Sequence, residues 1–295
     1  MFPKFPKFKE IEIEDRRFLK DRIWNYQPEN SEINFTNLFI WKDHLKVRWT
    51  TFKDTILFMC GDKPYFLEPV GKLEINDLKN LSLWISSNNS EIVFDRVAKK
   101  FTSSLNDDFK IIPSRDQFDY VYKAEDLINL AGRKYHSKRN HLSNFFKMYD
   151  YKYIPMTGKD AMSAVELAKK WCEDKRCDED MNLLDEFAAT KLALENFDQL
   201  ELNGAMILID GEIQAFTLGE MLNEKTLVIH IEKANKSYEG IYVAINNLFC
   251  KNNLSPGMFV NREQDLGDEG LRKAKLSYFP DHFVEKFSVL SGKSL

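Results

Sequence analysis

Five apolar residues, Ala205-Met206-Ile207-Leu208-Ile209, run straight into Asp210-Gly211, and a second strand-like run leaves through Ile213 to Glu220. Asp-Gly between two such runs predicts a two-residue hairpin, because both turn positions need positive φ and these residue types tolerate it. The hairpin commits this part of the chain to an antiparallel sheet. Thr226 to Lys233 supplies the next strand. Its alternation puts Leu227, Ile229 and Ile231 on one face and Val228, His230 and Glu232 on the other.

The flanks read as helices. Thr157 with Asp160 makes a capping box, and Ala161, Val165, Ala168 and Cys172 follow at core spacing. Leu183 to about Leu200 is a second helix. Gly240 opens a third, with Ile241, Ala244, Ile245 and Leu248 on one stripe. A short strand at Met258 to Asn261, a helix at Leu271 to Tyr278 and a strand at Phe283 to Leu290 complete the series. A weaker version precedes it: strands at Leu45–Thr51, Thr55–Cys60, Tyr65–Leu67 and Glu91–Phe94, with helices near Asn76–Ser86 and Val97–Leu105. The expectation is an α/β protein of two domains, 1–150 and 151–295, joined through Asp126 to Tyr149.

Composition narrows the function. With 42 Lys and Arg against 46 Asp and Glu, the net charge is -4, so the chain is not built to coat DNA or RNA. A local basic patch for one phosphate-rich ligand, including tRNA, stays open; DNA binding is not expected. No run approaches the ~18 apolar residues of a membrane span, and Met1 to Lys7 has no signal-peptide core. Cys60, Cys172, Cys177 and Cys250 form no CxxC pair and have no His at metal-ligand spacing. A cytoplasmic chain with reduced cysteines and no metal is therefore expected.

Three constellations carry chemistry. In the first, Tyr135-His136-Ser137-Lys138-Arg139-Asn140-His141, a helix from about Lys134 to Tyr149 puts Arg139 among Tyr135, Leu142, Phe146 and Tyr149. A guanidinium in an apolar stripe needs a partner, which is either a structural carboxylate or a phosphate or carboxylate of a ligand. Second, His230 and Glu232 share a strand face, either as a proton acceptor for an amine or as an internally satisfied polar pair. Third, Asn261-Arg262-Glu263-Gln264-Asp265 precedes a helix on which Leu271, Ala274, Lys275 and Tyr278 share a face, so Lys275 points inward. Arg262, Asp265 and Lys275 then form either a site at a strand end or a buried ion network.

The element order resembles that of a GNAT acyltransferase domain, once in each half. Asn37-Leu38-Phe39-Ile40-Trp41, Lys134 to Asn140, Asn261-Arg262-Glu263 with Asp265-Leu266-Gly267, and Gly270-Leu271-Arg272-Lys273-Ala274-Lys275 with Tyr278 and Pro280 carry a closer likeness. Over nearly its whole length the chain resembles a bacterial family that shares its domain with the C-terminal, cytoplasmic part of phosphatidylglycerol lysyltransferases. That resemblance implies tandem GNAT-like domains. It also implies transfer of an aminoacyl group from a charged tRNA to an amine or lipid hydroxyl, as in the related Fem-type ligases. Those relatives carry Gly-Leu-x-x-Phe-Lys-x-x-Phe; Lys275 and Tyr278 match it, and Ala274 replaces its Phe.

The expectation that follows is an acyl- or aminoacyl-transferase. His230 or Glu232 takes the proton, Lys275 steadies the oxyanion, and Arg139, Lys138, His136, Asn140, Asn261, Arg262, Asp265, Tyr238 and Tyr278 hold the substrates. Lys236-Ser237-Tyr238-Glu239-Gly240-Ile241 lacks the Gln/Arg-x-x-Gly-x-Gly/Ala loop that grips acyl-CoA, which weakens acyl-CoA as donor, while the acidic balance favours a small or locally charged donor over a broad tRNA footprint; acyl-CoA and aminoacyl-tRNA both stay open. The alternatives are an acyl-CoA-dependent N-acetyltransferase and a ligand-binding or scaffold protein without turnover.

Overall fold

Asp210 and Gly211 both take positive φ, 54° and 83°, and Glu212 pairs with Ile209 across the turn. The hairpin read from the sequence is therefore present in the computed structural model, which describes residues 2–291. In chain order the strands are β1 (Lys9–Glu10), β2 (Arg48–Phe52), β3 (Thr55–Cys60), β4 (Tyr65–Phe66), β5 (Ile92–Ala98), β6 (Phe109–Pro113) and β7 (Asp119–Lys123). They continue as β8 (Tyr151–Pro155), β9 (Asn203–Ile209), β10 (Glu212–Met221), β11 (Thr226–Ala234), β12 (Phe259–Asn261), β13 (His282–Val284) and β14 (Lys286–Ser291).

Two seven-stranded mixed sheets result, ordered β1-β2-β3-β4-β5-β14-β6 and β13-β7-β12-β11-β10-β9-β8. Each is a four-strand antiparallel meander followed by a helix, Ile75–Ser87 or Ile241–Asn253, that returns the chain to a parallel fifth strand. A parallel partner requires such a crossover. The same order appears twice, which is the tandem GNAT-like α/β arrangement.

The compact units do not divide at 150. One comprises the chain up to Tyr120, Gln264–Arg272 and the segment from Phe283; the other comprises Val121–Glu263 and Lys273–His282. The stretch 126–149 is thus part of the second unit. The reason lies in two short strands. β7 enters the second sheet between β12 and β13, and β14 enters the first between β5 and β6. The single strand expected over Phe283–Leu290 is broken at Glu285, and its two pieces join different sheets.

Within the first unit the helix Ile75–Ser87 buries Leu78, Leu81 and Ile85 against Leu57, Phe66, Val93 and Phe94. In the second unit Ile241–Asn253 is buried on nearly every side. Its stripe holds Ile241, Ala244 and Ile245, and Phe249 is also buried while Leu248 is half-buried. Asn247 lies inside as well, satisfied by the carbonyls of Leu127 at 2.7 Å and Ile128 at 2.8 Å.

Two further expectations are corrected. Arg133–Tyr135 forms a 3₁₀ turn ahead of the helix His136–Met148, shifting its phase, so Phe145 is buried and Phe146 exposed. Cys172 and Cys177 are not free thiols but a disulfide five residues apart, while Cys60 and Cys250 are free and buried. Among the described residues no helix is long and apolar enough to cross a membrane.

Candidate functional site

The second unit opens where its parallel pair ends. β11 and β12 are in register only from Thr226↔Phe259 to Val228↔Asn261. Beyond that point β11 runs on to Ala234, whereas the chain after Asn261 turns away. Asn261 sets this turn: its buried side chain accepts the Glu263 N–H at 2.7 Å, and Glu263 adopts φ of 56°. Ligands of α/β sheets bind at such carboxyl ends of strands, where neighbours part.

His230 lies at a bulge in β11, since Leu218 pairs with Ile231 and the next residue, Gly219, with Ile229. The imidazole is almost fully buried between two carboxylates, with Nδ1 2.9 Å from Glu263 and Nε2 3.3 Å from Glu220. Burial alone would depress its pKa, but the two carboxylates outweigh it and raise the value to about 9. With both nitrogens engaged and the ring cationic at neutral pH, His230 has no lone pair for a proton. Of the two residues expected as base, His230 thus has each ring nitrogen against a carboxylate.

Glu232 is held from two sides, by Arg262 Nη2 at 2.9 Å and by the buried Asn246 amide at 3.0 Å. Arg262 is the least satisfied member. Burial opposes its charge, but Glu232 more than compensates and raises its pKa. Its Nη1 is buried with no hydrogen-bond partner. A buried donor without an acceptor costs about 1–3 kcal/mol, so the position invites an incoming oxygen.

Tyr278 carries two cations. The Arg262 guanidinium stands 4.9 Å from its ring centroid and the Lys138 ammonium 4.0 Å. Lys138 is half-buried and makes no hydrogen bond or ion pair among the described residues. Burial first, and then the neighbouring Arg262 charge, pull its pKa down to about 8 despite Glu232. Lys138, Arg262, Glu232 and Tyr278 are therefore brought together.

Lys275 faces inward, as its stripe implied, but its ammonium is spent on main-chain oxygens, Arg262 at 2.7 Å and Glu263 at 3.1 Å. It pins the turn that positions Arg262. The other expected substrate contacts lie elsewhere. Arg139 donates to the carbonyls of Leu130 and, at 2.7 Å, Gly132, closing the end of the short helix Ala124–Asn129. His136 and Asn140 face solvent and contact each other at 3.1 Å. Tyr238 packs edge-on against Tyr149, 5.1 Å between centroids. Asp265 belongs to the first unit, fully buried among Tyr120, Arg115, Arg272 and the Gly267 N–H.

Sequence reasoning missed Asn246, Glu220 and Lys233, and gave Glu263 no role of its own. The Lys233 ammonium sits 3.2 Å from the Trp171 ring centroid and pairs with Glu186. The odd positions Leu227, Ile229 and Ile231 lead directly to Lys233, so an inward lysine was readable from the alternation.

Known proteins share this architecture. A conserved protein of unknown function from Bacteroides thetaiotaomicron superposes with a TM-score of 0.89 and 31% identity, covering 99% of this chain and 100% of its own. L-PGS from Bacillus licheniformis superposes at 0.66 with 14% identity, covering 95% and 93%, a likeness of fold. An uncharacterized protein of Mycoplasmoides gallisepticum is 26% identical over 223 residues, 74% of this chain and 68% of that one. The family described as phosphatidylglycerol lysyltransferase, C-terminal, matches residues 25–290, which include both parallel junctions and every residue of the β11–β12 opening. The chain belongs to that family.

Proposed function

We propose that this chain is an aminoacyltransferase that moves an aminoacyl group from an activated ester to a hydroxyl or amine acceptor at the β11–β12 opening. The observation that carries the reading is the unpartnered Nη1 of buried Arg262 beside Lys138 and Glu232. The acceptor attacks the ester carbonyl, and a C–O or C–N bond forms. Arg262 Nη1 donates to the carbonyl oxygen as it becomes an oxyanion, an interaction made in full only in the transition state. Lys138, partly neutral near pH 8, takes the acceptor's proton and passes it to the departing alkoxide as the ester C–O bond breaks. Glu232 holds Arg262 and offers its charge to the aminoacyl ammonium. The family description supports the lysyl group as the first to test, and the missing CoA loop at 236–241 supports an ester donor.

The test supplies purified chain with labelled aminoacyl-tRNAs and, separately, phosphatidylglycerol vesicles or soluble amines. Label should move to one acceptor class, and Arg262→Met should lower kcat by about a hundredfold or more, as deletion of an oxyanion donor does. A second reading rests on His230 and Lys275, whose polar atoms serve internal partners. It is a ligand-binding protein without turnover. Tight binding of an uncleaved aminoacyl ester, with no product from any acceptor, would establish that reading and remove the first.

A further inference from the structure

The first unit has a parallel junction of its own. β4 and β5 are in register at Phe66↔Phe94, and Arg96 follows two residues later. In the second unit the last parallel pair is Val228↔Asn261, and Arg262 follows one residue later. Each opening thus receives an arginine just past its last parallel pair.

Arg96 is the less satisfied of the two. Val97 pairs with Phe287 and Phe94 with Val289, so Asp95 and Arg96 bulge out opposite Ser288. The Arg96 carbonyl accepts from the Asn30 amide at 2.6 Å. Its guanidinium, with only 18% of the side chain exposed, makes no hydrogen bond among the described residues. Nε is buried without a partner, and the nearest carboxylate oxygen, on Asp95, is 4.0 Å away and already takes part in the Ser288 contact through its other oxygen. Five N–H donors in a planar fork are left unspent.

Two further groups near Arg96 carry a polar atom without a hydrogen-bond partner. The half-buried Tyr65 hydroxyl makes no hydrogen bond among the described residues. Glu32 is only 6% exposed, and its Oε1 is buried and unpartnered, while Oε2 shares the Lys286 ammonium with Asp119. Burial first, opposed by Lys286 and aided by Asp119, pushes the Glu32 carboxyl up.

We infer that the β4–β5 junction is a second binding site, for a small oxyanion of the phosphate or carboxylate class, gripped by the Arg96 fork with the Tyr65 hydroxyl beside it. A planar guanidinium matches both anions through two parallel hydrogen bonds. The site is independent of the chemistry assigned to the second unit.

The experiment titrates inorganic phosphate, and separately acetate, into the full chain and its variants by calorimetry and thermal shift. Arg262→Met removes the other guanidinium that carries an unpartnered donor, Nη1. In that background phosphate should still bind and raise the melting temperature. Adding Arg96→Met should weaken this remaining binding at least tenfold, about 1.4 kcal/mol. Tyr65→Phe, which preserves the ring, should weaken it several-fold and serves if the arginine variant does not fold. A response to phosphate alone assigns a phosphoryl ligand, and a response to both anions assigns the wider oxyanion class. No binding in Arg262→Met, or binding unchanged in the double variant and in Tyr65→Phe, overturns the site.

Discussion

Lys275 holds Arg262 by its main chain, donating from Nζ to the Arg262 carbonyl at 2.7 Å, rather than by its charge. The consequence is a stability role that methionine cannot replace. Lys275→Met loses at least the two charge-assisted bonds to the Arg262 and Glu263 carbonyls and leaves those oxygens in need of partners, so unfolding free energy should fall by about 2–3 kcal/mol. Denaturant titration with an unchanged m-value checks this. A variant as stable as the parent would return Lys275 to the list of groups available to substrate.

His230 makes the fold sensitive to alkali. Its pKa is raised to about 9 against an ordinary 6.5. A raised value means stabilisation that is complete below about pH 6.5 and is lost as pH rises through about 9. The full swing is about 3 kcal/mol. Stability measured from pH 6 to 10 should decline in the parent, and His230→Gln should flatten that decline.

Asp265 acts at the opposite end of the scale. Burial alone would raise its pKa, but Arg272, Tyr120 and the Gly267 N–H hold it far below the usual carboxylate range. A depressed value stabilises above about pH 4 and is lost as pH falls further. Asp265→Asn should lower stability at pH 7 by about 3 kcal/mol, since Arg115 and Arg272 lose their shared carboxylate. It should also remove part of the acid sensitivity, which unfolding curves between pH 3 and 6 will show.

The Cys172–Cys177 disulfide closes a short loop between the helices Gly158–Lys175 and Met181–Glu195. In the chain-entropy view a loop this small contributes about 2 kcal/mol. Thiol counting in denaturant should find two free cysteines without reductant and four with it. Cys172→Ser should unfold at a lower denaturant concentration than the unreduced parent.

Local features of the sequence proved the most legible. The Asp210-Gly211 turn, the Thr157–Asp160 capping box and the inward Lys275 each depend on neighbours within a few residues, and each is present. The destinations of β7 and β14 were not readable. Alternation says that a short run is a strand, never which sheet accepts it. The same limit hid the roles of His230 and Arg139. A residue's type announces that it needs a partner, but Glu220 and Glu263 are chosen by the tertiary fold, and the carbonyl of Gly132 by the 3₁₀ turn that alternation does not reveal. Arg96 left one faint sign, the pair Asp95-Arg96 inside an otherwise apolar strand.

The placement of β14 sets an order of events on the ribosome. The first sheet sets Phe287 beside both Val97 and Pro113. Until β14 has been made, β5 lacks one neighbour and β6 lacks its sheet partner, and such edges recruit other strands. The N-terminal unit therefore cannot mature ahead of the rest, as sequential domains do during synthesis. A nascent chain stopped short of Lys286 should need a holding chaperone, and a ribosome stalled late should yield aggregate rather than a folded first half.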